Sequence, residues 1–214
     1  MFKAIIFDAE GVIINSEEIW DMEQKVFLEK RGINYNRSKL KPLLTGLSII
    51  DGVKLMKKIY RIEEDTLSLA NERIECIKNL FTNNIDFIPG FMDYYNNVRM
   101  NFKTCVATSM NRDLLNYVDK KLKLNELFDN NIFSIDDIGG KSKPDPAIFL
   151  YSAKQLGVKS KECIVIEDAP KGIEGAKSAG MQCIAITTTY PKEKLAKADK
   201  VVSGFAEIGK INLK

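Results

Sequence analysis

The sequence contains no histidine and only four cysteines among its 214 residues. Without histidine, neither Ser-His-Asp nor Cys-His catalysis is available, and a histidine-ligated metal site is excluded. Acid–base chemistry must therefore be carried by carboxylates, lysine or tyrosine. The cysteines form no Cys-x-x-Cys pair, which argues against a zinc site or a redox motif. Three of them lie within apolar runs and are predicted to be small core residues, namely Cys105, Cys163 and Cys183.

The sequence also lacks any apolar run close to the roughly 20 residues needed to cross a bilayer. Its first residues lead directly into a predicted strand, so we expect no signal peptide. The net charge of +3 is spread along the chain, and no basic stripe with interleaved aromatic residues indicates nucleic-acid binding. We therefore expect a cytoplasmic monomer with neither a membrane nor a nucleic-acid partner.

What the sequence does contain is a short apolar segment at its start, Ala4–Phe7, which ends abruptly at Asp8, Glu10 and Gly11. Runs of this length, rich in Ile and Phe and closed by glycine, are typical of strands buried on both faces of a parallel sheet. In open α/β sheets, ligands bind beyond the carboxyl ends of the strands. Asp8 and Glu10 are therefore predicted to lie at the mouth of a cleft.

Strands and helices alternate in the second half of the chain, which indicates parallel βαβ units. The predicted strands cover 103–108, 131–135, 162–166 and 182–187, with an edge strand at 201–202. The predicted helices cover 91–102, 113–124, 144–156 and 171–179, and Pro191 is predicted to start another.

Residues 16–85 interrupt this alternation with helical periodicity alone, over 16–31, 48–60 and 63–81. Ser16 is the predicted N-cap of the first of these helices. The predicted fold class is therefore α/β, with a Rossmann-like parallel sheet and an inserted helical cap. The catalytic core comprises residues 1–15 and 86–214, and the cap comprises residues 16–85.

Polar side chains follow several predicted strands, and parallel strands bring their carboxyl ends to one edge. Clustered carboxylates need a cation, and oxygen ligands of this kind suit Mg²⁺. Hydroxyl and N–H groups before a helix can hold a phosphate, and a lysine adds positive charge, so the set fits phosphoryl transfer. The groups concerned are Asp8, Glu10, Thr108, Ser109, Lys143, Glu167 and Asp168.

Taken singly, each of these groups has a structural interpretation as well. Asp8 could end a strand, Thr108 and Ser109 could cap a helix, and Lys143 could be a solvated loop lysine. The interpretation as a site depends on the groups occurring together.

Together, four segments resemble the haloacid dehalogenase superfamily, in the branch of β-phosphoglucomutase and related sugar phosphatases. The resemblance covers essentially the whole chain, and the last two segments form a strong combined signal. The segments are Phe-Asp8-Ala-Glu10-Gly-Val, Ala-Thr108-Ser109, Lys141-Ser-Lys143-Pro-Asp145-Pro and Ile-Glu167-Asp168-Ala-Pro-Lys-Gly172-Ile.

The resemblance implies a role for each matched residue. Asp8 would attack phosphorus and form an aspartyl-phosphate, and Lys143 would pair with Asp8 and with the transferring phosphoryl group. Thr108 and the N–H of Ser109 would bind phosphoryl oxygens. The implied ligands of Mg²⁺ are Asp8, Asp168 and the main-chain carbonyl of Glu10, with Glu167 binding the metal directly or supporting a ligand.

The sequence departs from the family pattern at the general acid/base, which is usually aspartate and here is Glu10. The extra methylene moves the carboxyl group by roughly 1 Å, and misplacement on that scale can cost about 10²-fold in rate. In the predicted cap, Trp20 stands where the mutase has histidine. Thr45 and Ile49 stand where it has the lysine and arginine that grip a second phosphate.

These departures favour a Mg²⁺-dependent phosphatase of a small phosphorylated metabolite, such as a sugar phosphate. The predicted substrate contacts are Thr108, Ser109, Trp20, Thr45 and Gly46. A phosphosugar mutase is the first alternative, although this chain lacks the basic cap residues that the mutase has. A phosphate-binding protein with low turnover, caused by Glu10, is the second.

Overall fold

The computed structural model describes residues 1–44 and 49–211. The chain divides into two compact units. The first, which we call the sheet unit, comprises Met1–Asn15 and Asp86–Lys214, and the second, the helical unit, comprises Ser16–Ile85.

Within the described residues of the sheet unit, six strands form one sheet whose neighbours are all parallel. Their order is β3-β2-β1-β4-β5-β6, and the predicted Rossmann-like α/β class is confirmed. The strands are β1 (Ala4–Phe7), β2 (Lys103–Thr108), β3 (Ile132–Ser134), β4 (Cys163–Glu167), β5 (Gln182–Ile186) and β6 (Lys200–Val202).

The helices of the sheet unit follow the strands as the alternation predicted. They are α5 (Phe91–Val98), α6 (Arg112–Leu122), α7 (Leu124–Leu127), α8 (Ala147–Gln155), α9 (Pro170–Ser178) and α10 (Phe205–Ile208), with 3₁₀ turns at Ile135–Ile138, Ser160–Glu162 and Lys192–Leu195. In the helical unit the helices are α1 (Glu17–Glu29), α2 (Arg37–Leu44), α3 (Ile49–Tyr60) and α4 (Thr66–Asn84).

Strand β1 is buried on both of its faces, as its apolar run predicted. On one face, Ala4 and Ile6 join a core that also contains Phe149 of α8 and Ile173 of α9. On the other, the ring of Phe7 packs among aromatic rings with centroid distances of 5.7 to 6.3 Å, namely those of Phe91, Tyr94, Tyr95 and Phe128. This double packing holds the carboxyl end of β1, and so Asp8, in place.

The helical unit has its own apolar core, to which Phe27, Leu40 and Met56 contribute. It also buries an ion pair between α1 and α4. Arg73 donates through Nε to Glu23 Oε1 at 2.7 Å and through Nη2 to Oε2 at 2.6 Å. The two side chains are 4% and 0% exposed, so this pair is satisfied internally and is shielded from solvent.

Helix α2 was not predicted from the sequence. It is short and basic, has no acidic residue in its first turn, and includes Pro42, so local propensity does not signal it. Leu40 is 1% exposed within the core of the helical unit. Burial of an apolar side chain of this size contributes about 1.5–3 kcal/mol, which offsets the weak propensity.

Some predicted helix ends were wrong. Ser16 makes no side-chain capping bond, because its backbone is already helical (φ −82°, ψ −17°) and its Oγ is buried without a partner in the described structure. Helix α4, which was predicted to begin at residue 63, begins at Thr66, because the Asp65 carboxylate accepts from the N–H of Ser68 at 2.9 Å and caps the helix there. After Pro191 a single 3₁₀ turn forms instead of an α-helix.

The described part of the chain contains no helix that is both long enough and apolar enough to cross a bilayer.

Candidate active site

Three adjacent central strands bring the predicted acidic and hydroxyl residues to one edge. Phe7 lies opposite Val106 on β2 and opposite Ile166 on β4. One residue further along each strand, Asp8 is therefore flanked by Ala107 and Glu167. The N–H of Asp8 donates to the carbonyl of Ile166 at 3.0 Å, which continues the parallel ladder to the carboxylate.

Lys143 links these strands through its ammonium group. Its Nζ donates to Asp8 Oδ1, to Glu167 Oε1 at 2.8 Å and to the Ala107 carbonyl at 3.1 Å. These contacts use the three donors that a lysine has. The side chain comes from the loop before α8, is buried, and passes with Nζ 5.0 Å from the centre of the Phe149 ring.

The carboxylate of Glu167 is held on both of its oxygens. Oε1 accepts from Lys143, and Oε2 accepts from the backbone N–H groups of Asp168 at 2.9 Å and Ala169 at 3.0 Å. Gly172 on α9 makes room for this arrangement, because a Cβ there would lie 1.7 Å from Oε1. Both carboxylate oxygens of Glu167 are therefore hydrogen-bonded, and these bonds orient Lys143 and the start of α9.

Asp168 lies against the turn that follows Asp8. A Cβ added to Gly11 would be 1.9 Å from Asp168 Oδ2, and Gly11 also has a left-handed φ of +72°. A side chain at position 11 is therefore excluded both by space and by backbone conformation. The glycine brings the turn after β1 into direct contact with the acid after β4.

Thr108 ends β2 on the other side of Asp8 and is 1% exposed. Its Oγ1 accepts from the N–H of Met110 at 3.0 Å, which shapes the loop before α6. Asn111 caps that helix by accepting from the N–H of Leu114 at 2.9 Å. Ser109 lies in the same loop, between Thr108 and the start of α6, and is partly exposed. Its N–H and hydroxyl therefore lie just before a helix N-terminus.

Burial and mutual repulsion dominate the electrostatics of this cluster. Burial raises the pKa of Asp8 to about 7, since the opposing attraction of Lys143 is partly cancelled by Glu167. Burial and the charges of Glu167 and Asp8 also raise the pKa of Asp168 well above its usual range. Burial alone would lower the pKa of Lys143, but Asp8 and Glu167 outweigh it and raise that pKa.

The donor set fits a hard divalent cation. Three buried carboxylates, those of Asp8, Glu167 and Asp168, are accompanied by one buried ammonium, that of Lys143, so the fully ionised cluster carries an excess of two negative charges. Among residues 1–44 and 49–211, no three acidic or cysteine side chains are grouped closely enough to hold a metal by themselves. Mg²⁺ needs fewer, because it keeps several waters and binds through one or two carboxylates.

The remaining predicted contacts belong to the helical unit. Trp20 packs edge-on against Phe81, with ring centroids 6.1 Å apart. Thr45 and Gly46 lie outside the described residues.

Sequence reasoning missed the threonines after β5, although a signal was present. The hydroxyl of Thr188 donates to the Gly11 carbonyl, and Thr189 Oγ1 lies 2.6 Å from where a Gly11 Cβ would be. The rule that located Asp8 and Asp168, polar residues directly after a buried parallel strand, applies equally to this threonine run. Gly172, whose role depends on the conformation of Glu167, had no such signal.

The fold and the site define a class of α/β protein in which an acidic cluster, partly compensated by one lysine, lies at the carboxyl edge of a parallel sheet. A family model for haloacid dehalogenase-like hydrolases matches residues 2–180. The chain therefore belongs to the haloacid dehalogenase-like hydrolase family.

Individual proteins resemble the chain over most of its length. It is 30% identical over 199 residues to the chloroplastic protein SUPPRESSOR OF QUENCHING 1 of Arabidopsis thaliana, covering 92% of this chain but only 19% of that protein. It is 28% identical over 184 residues to a phosphorylated carbohydrates phosphatase of Thermotoga maritima, covering 85% and 83% of the two chains. A solved structure of a haloacid dehalogenase-like protein from Agrobacterium tumefaciens superimposes with a TM-score of 0.84, at 26% identity and 98% and 97% coverage.

Proposed function

We propose that this protein is a Mg²⁺-dependent phosphatase that hydrolyses a small phosphorylated metabolite through an aspartyl-phosphate on Asp8. The observation that carries the proposal is the convergence of Asp8, Lys143 and Asp168 at one sheet edge with more buried negative than positive charge. Membership of a hydrolase family and similarity to a phosphatase of phosphorylated carbohydrates support it.

The proposed metal ligands are Asp8, Asp168 and the main-chain carbonyl of Glu10. When bound, Mg²⁺ supplies the positive charge that the carboxylate cluster and a phosphoryl group require together. Glu167, whose oxygens are taken by Lys143 and two backbone N–H groups, is proposed to support this site by orienting Lys143.

In the first step, a carboxylate oxygen of Asp8 attacks phosphorus while the ester P–O bond breaks, and the leaving oxygen takes a proton from Glu10. Thr108, the Ser109 N–H and Lys143 hold the phosphoryl oxygens during this transfer. In the second step, Glu10 accepts a proton from water, which attacks phosphorus as the bond to Asp8 breaks. Inorganic phosphate leaves and the Asp8 carboxylate is restored.

Trp20, Thr45 and Gly46 are proposed as further substrate contacts. Thr45 and Ile49 cannot supply the positive charge that grips a second phosphate, which disfavours the mutase. A small phosphorylated metabolite is thus the proposed partner, and the cytoplasmic location and monomeric state stay predictions.

Hydrolysis of a generic aryl phosphate, followed with Mg²⁺ and with EDTA, tests the proposal. We expect turnover that requires Mg²⁺ and falls by about 10⁴-fold or more in Asp8→Asn, because the nucleophile is lost. Equal rates in the wild type and the variant would refute it. A panel of phosphorylated metabolites, including a sugar phosphate with and without its bisphosphate, then identifies the substrate and distinguishes hydrolysis from isomerisation.

Glu10→Asp separates an efficient phosphatase from a binding protein with low turnover. If the longer side chain of Glu10 misplaces the acid/base group, the variant gains up to about 10²-fold in rate. If the loop after β1 already accommodates glutamate, the variant gains nothing and the low-turnover alternative loses its basis.

A further inference from the structure

The loop after β5 contributes two threonines to the turn that follows the proposed nucleophile. Thr188 donates its hydroxyl proton to the carbonyl of Gly11. Thr189 follows at once, and its Oγ1 lies 2.6 Å from the place that a Cβ on Gly11 would occupy. The loops after β1, β4 and β5 therefore meet at one point.

Asp168 and Thr189 share the space that Gly11 leaves open. Asp168 Oδ2 lies 1.9 Å from the same hypothetical Cβ position, so the hydroxyl and the carboxylate oxygen lie close together beside the glycine. The Thr189 hydroxyl is buried and makes no well-formed hydrogen bond within the described residues. A buried polar atom without a hydrogen bond is destabilising, and such exceptions call for an explanation.

We propose that Thr189 is a positioning residue for the divalent cation, whose hydroxyl donates to the Asp168 carboxylate and fixes its orientation when the cation is bound. This inference rests on the proposed function, since it assumes that Asp168 is a ligand. A carboxylate that offers one oxygen to a metal needs a partner for the other, and such supporting hydrogen bonds typically contribute 10–100-fold to metal affinity. The buried hydroxyl beside Asp168 is placed to supply that partner.

The position of Gly11 makes the arrangement specific. Because any side chain at position 11 would overlap both oxygen atoms, the glycine serves to bring donor and acceptor together as well as to form the turn. Thr188 adds to this by holding the Gly11 carbonyl. The loop after β5 would therefore align the loops after β1 and β4.

Calorimetric titration of the whole protein with MgCl₂, without substrate, tests the role directly. We expect Thr189→Val, which keeps the shape and removes the hydroxyl, to weaken Mg²⁺ binding by about 10-fold or more. Thr189→Ser restores the hydroxyl and should bind within about 3-fold of the wild type. Thr187→Val makes the same chemical change two residues earlier in the loop and should bind Mg²⁺ like the wild type.

Thermal unfolding in EDTA distinguishes positioning from simple structural support. Because the buried hydroxyl is poorly bonded, the melting temperature of Thr189→Val in EDTA should equal or exceed that of the wild type. The increase in melting temperature on adding Mg²⁺ should be smaller for Thr189→Val than for the wild type. Equal Mg²⁺ affinity in Thr189→Val and the wild type overturns this inference and leaves the proposed function standing. A wild type that binds no Mg²⁺ overturns both, and a lower melting temperature in EDTA with no rescue by serine overturns the positioning role.

Discussion

Among the residues that the structure describes, buried charged side chains occur in two regions, and their charges are compensated in different ways. In the helical unit, Glu23 and Arg73 form one pair with matched charge and two parallel hydrogen bonds. In the sheet unit, Lys143 pairs with Asp8 and Glu167, and the third buried carboxylate, that of Asp168, is influenced by the same charges without contacting Lys143 directly. The charges of the first region cancel, whereas the second region has more carboxylates than ammonium groups.

The comparison teaches how a structural charge cluster differs from a functional one. Burying charge is costly unless each group is paired, so a cluster with excess charge persists only if something else compensates for it. Arg73 satisfies Glu23 within the chain, but Lys143 cannot neutralise three carboxylates. This imbalance distinguishes the proposed active site from a structural ion pair more clearly than burial does, because the residues of both clusters are buried.

The largest effect is expected when Lys143, the ammonium group of the buried acidic cluster, is removed. Lys143→Met should lower kcat by about 10³-fold, because three carboxylates then repel each other and the phosphoryl group loses a charged donor. Lys141→Met removes an exposed lysine two residues away and should stay near wild type. Rates with saturating MgCl₂ measure the difference, and a Lys143 variant as active as the Lys141 variant would contradict the assigned role.

Substitutions in the Glu23–Arg73 pair should change the stability of the protein rather than its activity. Arg73→Met leaves Glu23 buried without a partner and should lower the free energy of unfolding by about 3–5 kcal/mol. The double variant Glu23→Leu with Arg73→Met should recover most of this loss, because no unpaired charge remains. Urea denaturation gives both values, and a double variant no more stable than Arg73→Met would argue against the balance described above.

The excess of carboxylates in the buried cluster of the sheet unit should make the stability of the protein depend on pH. Burial raises the pKa of Asp8 to about 7, so between about pH 4 and pH 7 the folded, metal-free protein holds a proton that the unfolded chain has released. Stability in EDTA should therefore fall as pH rises through this window, with a slope of up to about 1.4 kcal/mol per pH unit for one proton.

Two comparisons sharpen this expectation. Saturating MgCl₂ should flatten the slope, because a bound cation favours the ionised carboxylates, and Asp8→Asn should reduce it in EDTA. Denaturation in urea at several pH values between 5 and 8 measures all three series. A metal-free wild type whose stability rises over that range would show that the cluster is already balanced.

The smallest effect concerns the space around Glu167. Gly172→Ala places a Cβ 1.7 Å from Glu167 Oε1, so the carboxylate must shift and Lys143 with it. We expect kcat to fall by about 10-fold, within the range that small misplacements cause. Gly204→Ala is the matched control, since a Cβ there meets nothing within 4 Å. Similar kinetics in the two variants would mean that Glu167 does not position Lys143.

Much of the fold could be predicted because its signals are local. The run Ala4–Phe7 is apolar on both faces, and β2 occupies the predicted range of 103–108. Helix α2 escaped prediction because Leu40 is ordered by packing rather than by propensity. Ser16 was predicted to cap α1, but its backbone conformation places the hydroxyl out of reach.

For the site, the sequence alone determined which chemical groups follow which strands, because a buried parallel strand is recognisable from its apolar run and its carboxyl end is the ligand-binding edge. Only the tertiary structure decided that Lys143 bridges Asp8 and Glu167, that both oxygens of Glu167 are hydrogen-bonded, and that Thr189 lies close to Asp168 beside Gly11. The physical reason is that the residues next to a strand end come from distant parts of the sequence, and which ones they are depends on how the strands pair. Distances between side chains from different loops are set by that pairing and by the glycines that permit close approach.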